Sequence, residues 1–264
     1  MTRTVFGKWL WDARRSILGW TVAIAAVSGS YAAFWPLIDD PELQKLIENY
    51  PRAMLEALNY TDFTTGLGYL NATVYSLLGA VLLLVYAVTA GTRLIAGDEE
   101  AGTLDLVLAH PVSRTSLALQ RFGALAVSVL TIVAVLGVTI LAVGALVGIE
   151  DLTIASAAAM HLHLAAFGIL LGAVPFAVGA ATGRRALALG AGAAVGVVAY
   201  VMRGLIPQVE GMEWVADYSA FVWLNGSEPL RTGVDPGHLG IMLGVAAALV
   251  AVGTWCFARR DVAA

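Results

Sequence analysis

Lys8 and Lys45 are the only lysines in the sequence, so only they could complete a phosphate-cradling loop. Such a loop needs a first glycine, a Gly-Lys pair and a following Ser or Thr, so that backbone N–H groups and the ammonium surround the phosphates. Lys8 follows Gly7 but precedes Trp9, Thr2 stands where the first glycine belongs, and Lys45 follows Gln44. No nucleotide-binding loop of this kind is present, and no cofactor is expected in the chain itself. Met160, His161 and His163 offer thioether and imidazole ligands of the type that suit copper. His161 and His163 are two positions apart, however, so on a helix they face nearly opposite ways. Packing or pore-lining polarity is the expectation, with no metal site. His110 and His238 have no obvious partner. Cys256 is the single cysteine, which excludes an intrachain disulfide and a zinc cluster. There is no Gly-x-Ser-x-Gly nucleophile run, and Glu99-Glu100 lacks a following arginine at the spacing of prenyl proteases. An intramembrane enzyme or an ion-coupled carrier stands as the alternative reading, but both need ionisable groups at depth. The apolar blocks hold almost none; Arg93 and Arg203 lie near block ends, where long side chains reach the interface.

The elements that position these residues are all helical by length and pattern. The chain is 59% hydrophobic and 13% charged, with mean hydropathy +0.81, whereas soluble domains run near one-quarter charged. Six blocks are long enough to cross a bilayer: residues 16–37, 70–96, 117–148, 154–182, 186–206 and 238–258. The expected fold is an all-α polytopic membrane protein, residues 1–264 forming one transmembrane domain. An even span number puts both termini on one side. Arg3, Lys8, Arg14, Arg15, Arg93, Arg114, Arg121, Arg184, Arg185, Arg259 and Arg260 then share that side, leaving Lys45, Arg52, Arg203 and Arg231 on the other. Basic residues are retained in the cytoplasm, which predicts N-in and C-in. Arg14-Arg15 reads as an anchor of the first span rather than an export signal. Val5, Phe6, Trp9, Leu10, Ala13 and Ile17 recur at helical spacing, predicting an interfacial amphipathic helix over residues 1–15. Outer segments span 38–69 and 207–237. The first should hold short amphipathic helices over 41–58, broken near Pro51. The second, with Trp214, Tyr218, Phe221 and Trp223, should hold a short interfacial or re-entrant helix. Small-residue pairs one turn apart (Gly144/Gly148, Gly168/Gly172, Gly179/Gly183, Gly192/Gly196 and Gly240/Gly244) favour close helix packing.

Residues 97–116 form a loop on the cytoplasmic side. An acidic cluster, Asp98-Glu99-Glu100, precedes a short helix whose dipole it would complement. Leu104, Val107 and Leu108 share one face, and Pro111 ends the helix. An apolar stripe on such a loop predicts docking onto a protein or the lipid interface. This run, with Glu99 or Glu100, Gly102, Thr103, Leu104, Leu106, Leu108 and Pro111-Val112-Ser113-Arg114, resembles the Glu-Glu-x-x-Gly-Thr-Leu-Glu-Leu-Leu-Leu-x-x-Pro-Val-Ser-Arg signature of type-2 ABC transporter permeases. Asp98 and Asp105 replace glutamates, Ala101 a polar residue and Val107 a leucine. The span layout fits as well. The resemblance implies the membrane subunit of an ABC exporter in a prokaryotic plasma membrane. It implies pairing with a second permease, identical or not, and separate ATPase subunits as partners that use the ATP. Glu99, Glu100, Gly102, Thr103, Leu104, Asp105, Val107, Leu108, Pro111 and Arg114 would form the coupling segment seated in the ATPase, with Leu104 and Leu108 entering its cleft. Spans so poor in charge favour an amphipathic or hydrophobic cargo.

Overall fold

The computed structural model describes residues 4–42, 45, 49, 54 and 63–261. Among them no strand occurs, and six helices are long and apolar enough to cross a membrane. The spans are α1 (Val5–Ala33), α2 (Gly66–Glu100), α4 (Arg114–Val147), α5 (Ile154–Thr182), α6 (Arg185–Gly204) and α9 (Pro236–Arg259). Short helices α3 (Leu104–Leu108), α7 (Ala220–Asn225) and α8 (Pro229–Thr232) fill the connections. The protein is thus an all-α polytopic membrane protein, as its hydropathy blocks predict. The helices expected over residues 41–58 fall largely outside the described residues.

Side-chain caps set where the long helices begin. Thr4 Oγ1 accepts from Gly7 N–H at 3.1 Å, and Ser113 Oγ accepts from Ser116 N–H at 3.2 Å, two residues after Pro111. Thr153 and Ser156 form a reciprocal capping box at the head of α5, satisfying amides that have no intrahelical partner. Asp235 caps α9; the His238 amide is the main cause holding its carboxyl below the ordinary range. The amphipathic segment at the N-terminus is helical from Val5 and runs without a break into the first span. At about 1.5 Å per residue, the 29 residues of α1 exceed the roughly 30 Å hydrocarbon layer. Its first turns therefore extend past the layer, tied to α4 by Phe6 N–H donating to Gln120 Oε1 at 3.2 Å.

Helix α5 occupies the centre, packed against α2, α4, α6 and α9. It is apolar on nearly all sides, the pattern of a helix with no solvated face. Its glycines permit the approach. A Cβ on Gly168 would lie 2.9 Å from Val129, and one on Gly172 2.9 Å from Leu125. A Cβ on Gly240 or Gly244 would meet nothing within 4 Å, so that pair permits no close approach inside the described chain. Helix α2 carries two wider π-helical stretches, Asn71–Leu78 and Arg93–Gly97. At the end of the bundle away from the chain termini, the segment after α6 is broken into short helical pieces rather than one interfacial helix. Phe221 is fully buried between Phe167, at 4.9 Å, and Tyr200, at 5.3 Å between ring centroids. Trp214 and Tyr218 stay exposed beside each other, as expected for headgroup-level aromatics.

Candidate functional site

At the opposite end, α2, the connection through α3, α4, α6 and both described chain ends converge. The acidic cluster does not lead α3, contrary to the expectation from sequence. Asp98, Glu99 and Glu100 are the last turn of α2. Gly102, with φ +65°, breaks the path before α3, leaving Asp105 alone in the first turn of α3. Three carboxylates at a helix C-terminus oppose the helix dipole, so each needs a compensating partner, and each has one from a different helix. Asp98 Oδ2 pairs with Arg121 of α4 at 2.6 Å. That guanidinium also donates to the Leu94 carbonyl at 2.5 Å, inside the second π stretch. Glu99 is gripped by both terminal nitrogens of Arg260, just past α9, with Nη1 to Oε1 at 2.6 Å. Glu100 Oε1 accepts from Arg185 N–H at 2.8 Å, capping α6, whose own N-cap residue Arg184 supplies no side-chain bond.

The Arg260 grip extends further. Its Nε donates to the Ala180 carbonyl of α5 at 2.8 Å, and its own carbonyl accepts from Arg114 Nη1. Both guanidiniums lie over the Phe257 ring, at 5.9 Å for Arg114 and 5.6 Å for Arg260. A planar fork meeting a carboxylate with two parallel bonds is the strongest geometry for such a pair. The pair is also sheltered, with the side chains 17% exposed for Arg260 and 6% for Glu99. Gly183 ends α5 at φ +69°, and a Cβ there would sit 2.6 Å from Glu99 Oε1. Only glycine satisfies both the left-handed backbone and the carboxylate.

Helix α3 presents its faces the other way round from the sequence expectation. Leu104 is fully buried in the core cluster, and Val107 and Leu108 are half-buried against it. Leu104 therefore seats α3 on its own bundle, with Val107 and Leu108 partly covered beside it. The outward residues are Asp105, Leu106, Ala109 and His110, and Leu106 is 69% exposed. Thr103 hydrogen-bonds the Asp98 carbonyl through both its amide and its hydroxyl, closing the turn at Gly102. Pro111 is exposed before the Ser113 cap. Of the ten predicted site residues, Glu99, Glu100, Thr103 and Arg114 build the joint and Leu104, Val107 and Leu108 seat the helix. Gly102 makes the bend, while Asp105 and Pro111 face outward. Sequence reasoning missed Arg121, Gly183, Arg185 and Arg260 as members of the joint, and the exposure of Leu106. One signal was available: Arg114 and Arg121 lie seven residues apart, on one face of α4.

Both histidines of α5 are engaged within the chain, whereas Ser28 Oγ, Asn71 Oδ1 and Thr254 Oγ1 are buried without a hydrogen-bond partner among the described residues. His161 Nδ1 lies 2.6 Å from the Ala157 carbonyl, and Nε2 lies 3.4 Å from Tyr75 Oη. His163 points elsewhere, to the Trp223 carbonyl at 3.3 Å and the Asp235 amide at 3.1 Å, tying α5 to the segment between α6 and α9. Among the described residues no group of His, Cys, Asp and Glu has the makings of a metal site. Near the end of α6, Arg203 Nη2 and Asn225 Nδ2 both donate to Ser76 Oγ, at 3.1 and 2.8 Å.

A comparison with curated proteins returns no match. A family model does match, over residues 3–258, from the start of α1 to the last turn of α9, with Arg260 lying beyond it. The chain belongs to that family, described as the C-terminal domain of the multidrug efflux system permease Rv1217c.

Proposed function

We propose that this permease is the membrane-spanning subunit of an ATP-driven ABC exporter. Two permease subunits would pair, and separate ATPase subunits would dock from the cytoplasm on residues 97–116 and supply the ATP chemistry. One observation carries the reading: α3 holds an exposed leucine, Leu106, outward, while its root is bonded to α4, α6 and the end of α9. A displacement imposed on α3 would reach those helices together, as rigid-body transitions require. The positive-inside rule places this basic end in the cytoplasm, in the plasma membrane of a prokaryote. The efflux family supports outward transport, and the apolar spans favour an amphipathic or hydrophobic cargo crossing between subunits.

The reading replaces Leu104 with Leu106 as the docking side chain, and that exchange makes it testable. Tagged protein purified from native-host membranes should carry MgATP hydrolysis from a co-purifying subunit. Leu106→Asp should insert normally but lose that activity, because an unpaired carboxylate buried in a contact costs several kcal/mol. Wild-type preparations without ATP hydrolysis, or a Leu106→Asp variant that keeps it in full, would sink the proposal.

A further inference from the structure

A cavity of about 550 Å³ opens between the first turns of α1, the end of α2, α3 and α4. Tyr86, Ala90 and the ion-paired Arg121 are its buried lining, where Tyr86 packs against Trp20 at 6.1 Å, and Lys8, Asp12 and Leu106 are its exposed lining. Three cations and two carboxylates line it: Lys8, Arg93 and Arg121 against Asp12 and Asp98. Two of the cations are already neutralised, Lys8 by Asp12 at 2.6 Å and Arg121 by Asp98 at 2.6 Å. Arg93 is exposed and has no carboxylate or carbonyl partner among the described residues. The cleft thus holds one uncompensated positive charge above an apolar wall.

The position of Arg93 along α2 matters as much as its charge. It follows the apolar run Gly79–Thr92 and precedes the acidic last turn Asp98–Glu100, so it sits where the helix leaves the hydrocarbon. Trp9 of α1 lines the same cleft, and tryptophan is favoured at this depth. An occupant that satisfies all of this carries a single anionic group at headgroup level and apolar matter below it. We propose that the cleft binds the anionic headgroup of a phospholipid from the adjacent leaflet, with Arg93 as the phosphate contact. Basic pockets between spans recognise headgroups by this chemistry. Leu106 and Val107 of α3 line the same cleft, so the bound lipid lies beside the segment proposed to face the ATPase. The site stands on its own geometry and does not depend on the ATPase reading.

The test uses the purified full chain in uncharged micelles, with bound molecules counted by native mass spectrometry. Phosphatidylglycerol, phosphatidylcholine with the same acyl chains, and soluble glycerol 3-phosphate are titrated separately. The wild type should retain one phosphatidylglycerol in preference to phosphatidylcholine. Arg93→Gln should bind it about fivefold more weakly, the loss expected for one basic residue at a membrane surface. Thr89→Trp, which fills the cleft but alters no charge, should also weaken it. Arg15→Gln, at the same end but outside the cleft, should bind as the wild type does. Equal retention of the two lipids, or wild-type binding by either Arg93→Gln or Thr89→Trp, overturns the site. Binding of glycerol 3-phosphate as tight as that of the lipid overturns the lipid as its source and leaves a free-anion site.

Discussion

Removing Arg260 should cost this protein more stability than removing any other exposed-end arginine, and the pair it forms sets the size of the effect. Arg260→Met strands the Glu99 carboxylate, whose side chain is 6% exposed. Breaking a buried pair by deleting one partner costs about 3–5 kcal/mol. The Ala180 carbonyl also loses its donor, worth about 1 kcal/mol. The bond from Arg114 survives, because its acceptor is the Arg260 backbone carbonyl. Glu99→Gln is milder, since the amide oxygen still accepts one bond; about 1–2 kcal/mol is expected. The two changes remove one shared interaction, so the double variant should fall short of additivity by about 1–3 kcal/mol. Denaturation of the purified proteins in micelles measures all four corners of the cycle. Repeating it in 0.5 M salt should leave the coupling largely intact, because sheltered pairs are screened far less than exposed ones. Additivity within about 0.5 kcal/mol, or loss of the coupling in salt, would refute the sheltered bidentate grip.

The two leucines of α3 give an opposite pair of outcomes in the same assay. Leu104→Ala should destabilise the protein by about 2–5 kcal/mol, the range for a fully buried leucine, whereas Leu106→Ala should stay within about 0.5 kcal/mol of wild type. Gly183→Ala should cost about 1–2 kcal/mol for the left-handed backbone alone. It should cost more in the wild type than in a Glu99→Ala background, where the carboxylate 2.6 Å from the new Cβ is gone; equal costs would mean that Glu99 does not crowd this position.

The spans were legible because each is a long apolar block bounded by turn chemistry, and α5 begins and ends where the sequence places it, at Ile154 and Thr182. The joint was less so, for two physical reasons. A helix C-terminus is hard to place when acidic residues follow an apolar run. Asp98–Glu100 read naturally as the preamble to α3, and only the partners Arg121 and Arg260 make them tolerable as the end of α2. Those partners are 23 and 161 positions away from Asp98 and Glu99, beyond the reach of any helical periodicity. The apolar stripe on α3 was read correctly as a stripe but assigned to the wrong acceptor. Leu104, Val107 and Leu108 have the right spacing whether the surface they meet is another protein or their own bundle, and pattern alone does not distinguish the two. The 1–15 segment shows the converse limit. Its amphipathic pattern is present, yet no glycine, proline or cap between Lys8 and Ser16 other than helix-compatible residues interrupts it, so α1 continues through.

A five-residue helix cannot transmit force unless something stiffer than its own backbone holds it. Here the stiffness comes from outside α3. Its inner face is seated by Leu104, and the preceding turn is locked by Thr103 onto Asp98. That turn cannot shift without moving carboxylates held by α4, α6 and the end of α9. A load on Leu106 therefore has two outlets: the helices move as one body, or the ion pairs part. Parting even one sheltered pair strands a charge at a cost of about 3–5 kcal/mol, while a rigid rotation leaves every bond of the joint in place. Concerted motion is the lower path. On the proposed docking role, separate failures fall to separate residues: a change at Leu106 would remove the contact with an ATPase, and a change at Glu99 would leave that contact but loosen what it moves.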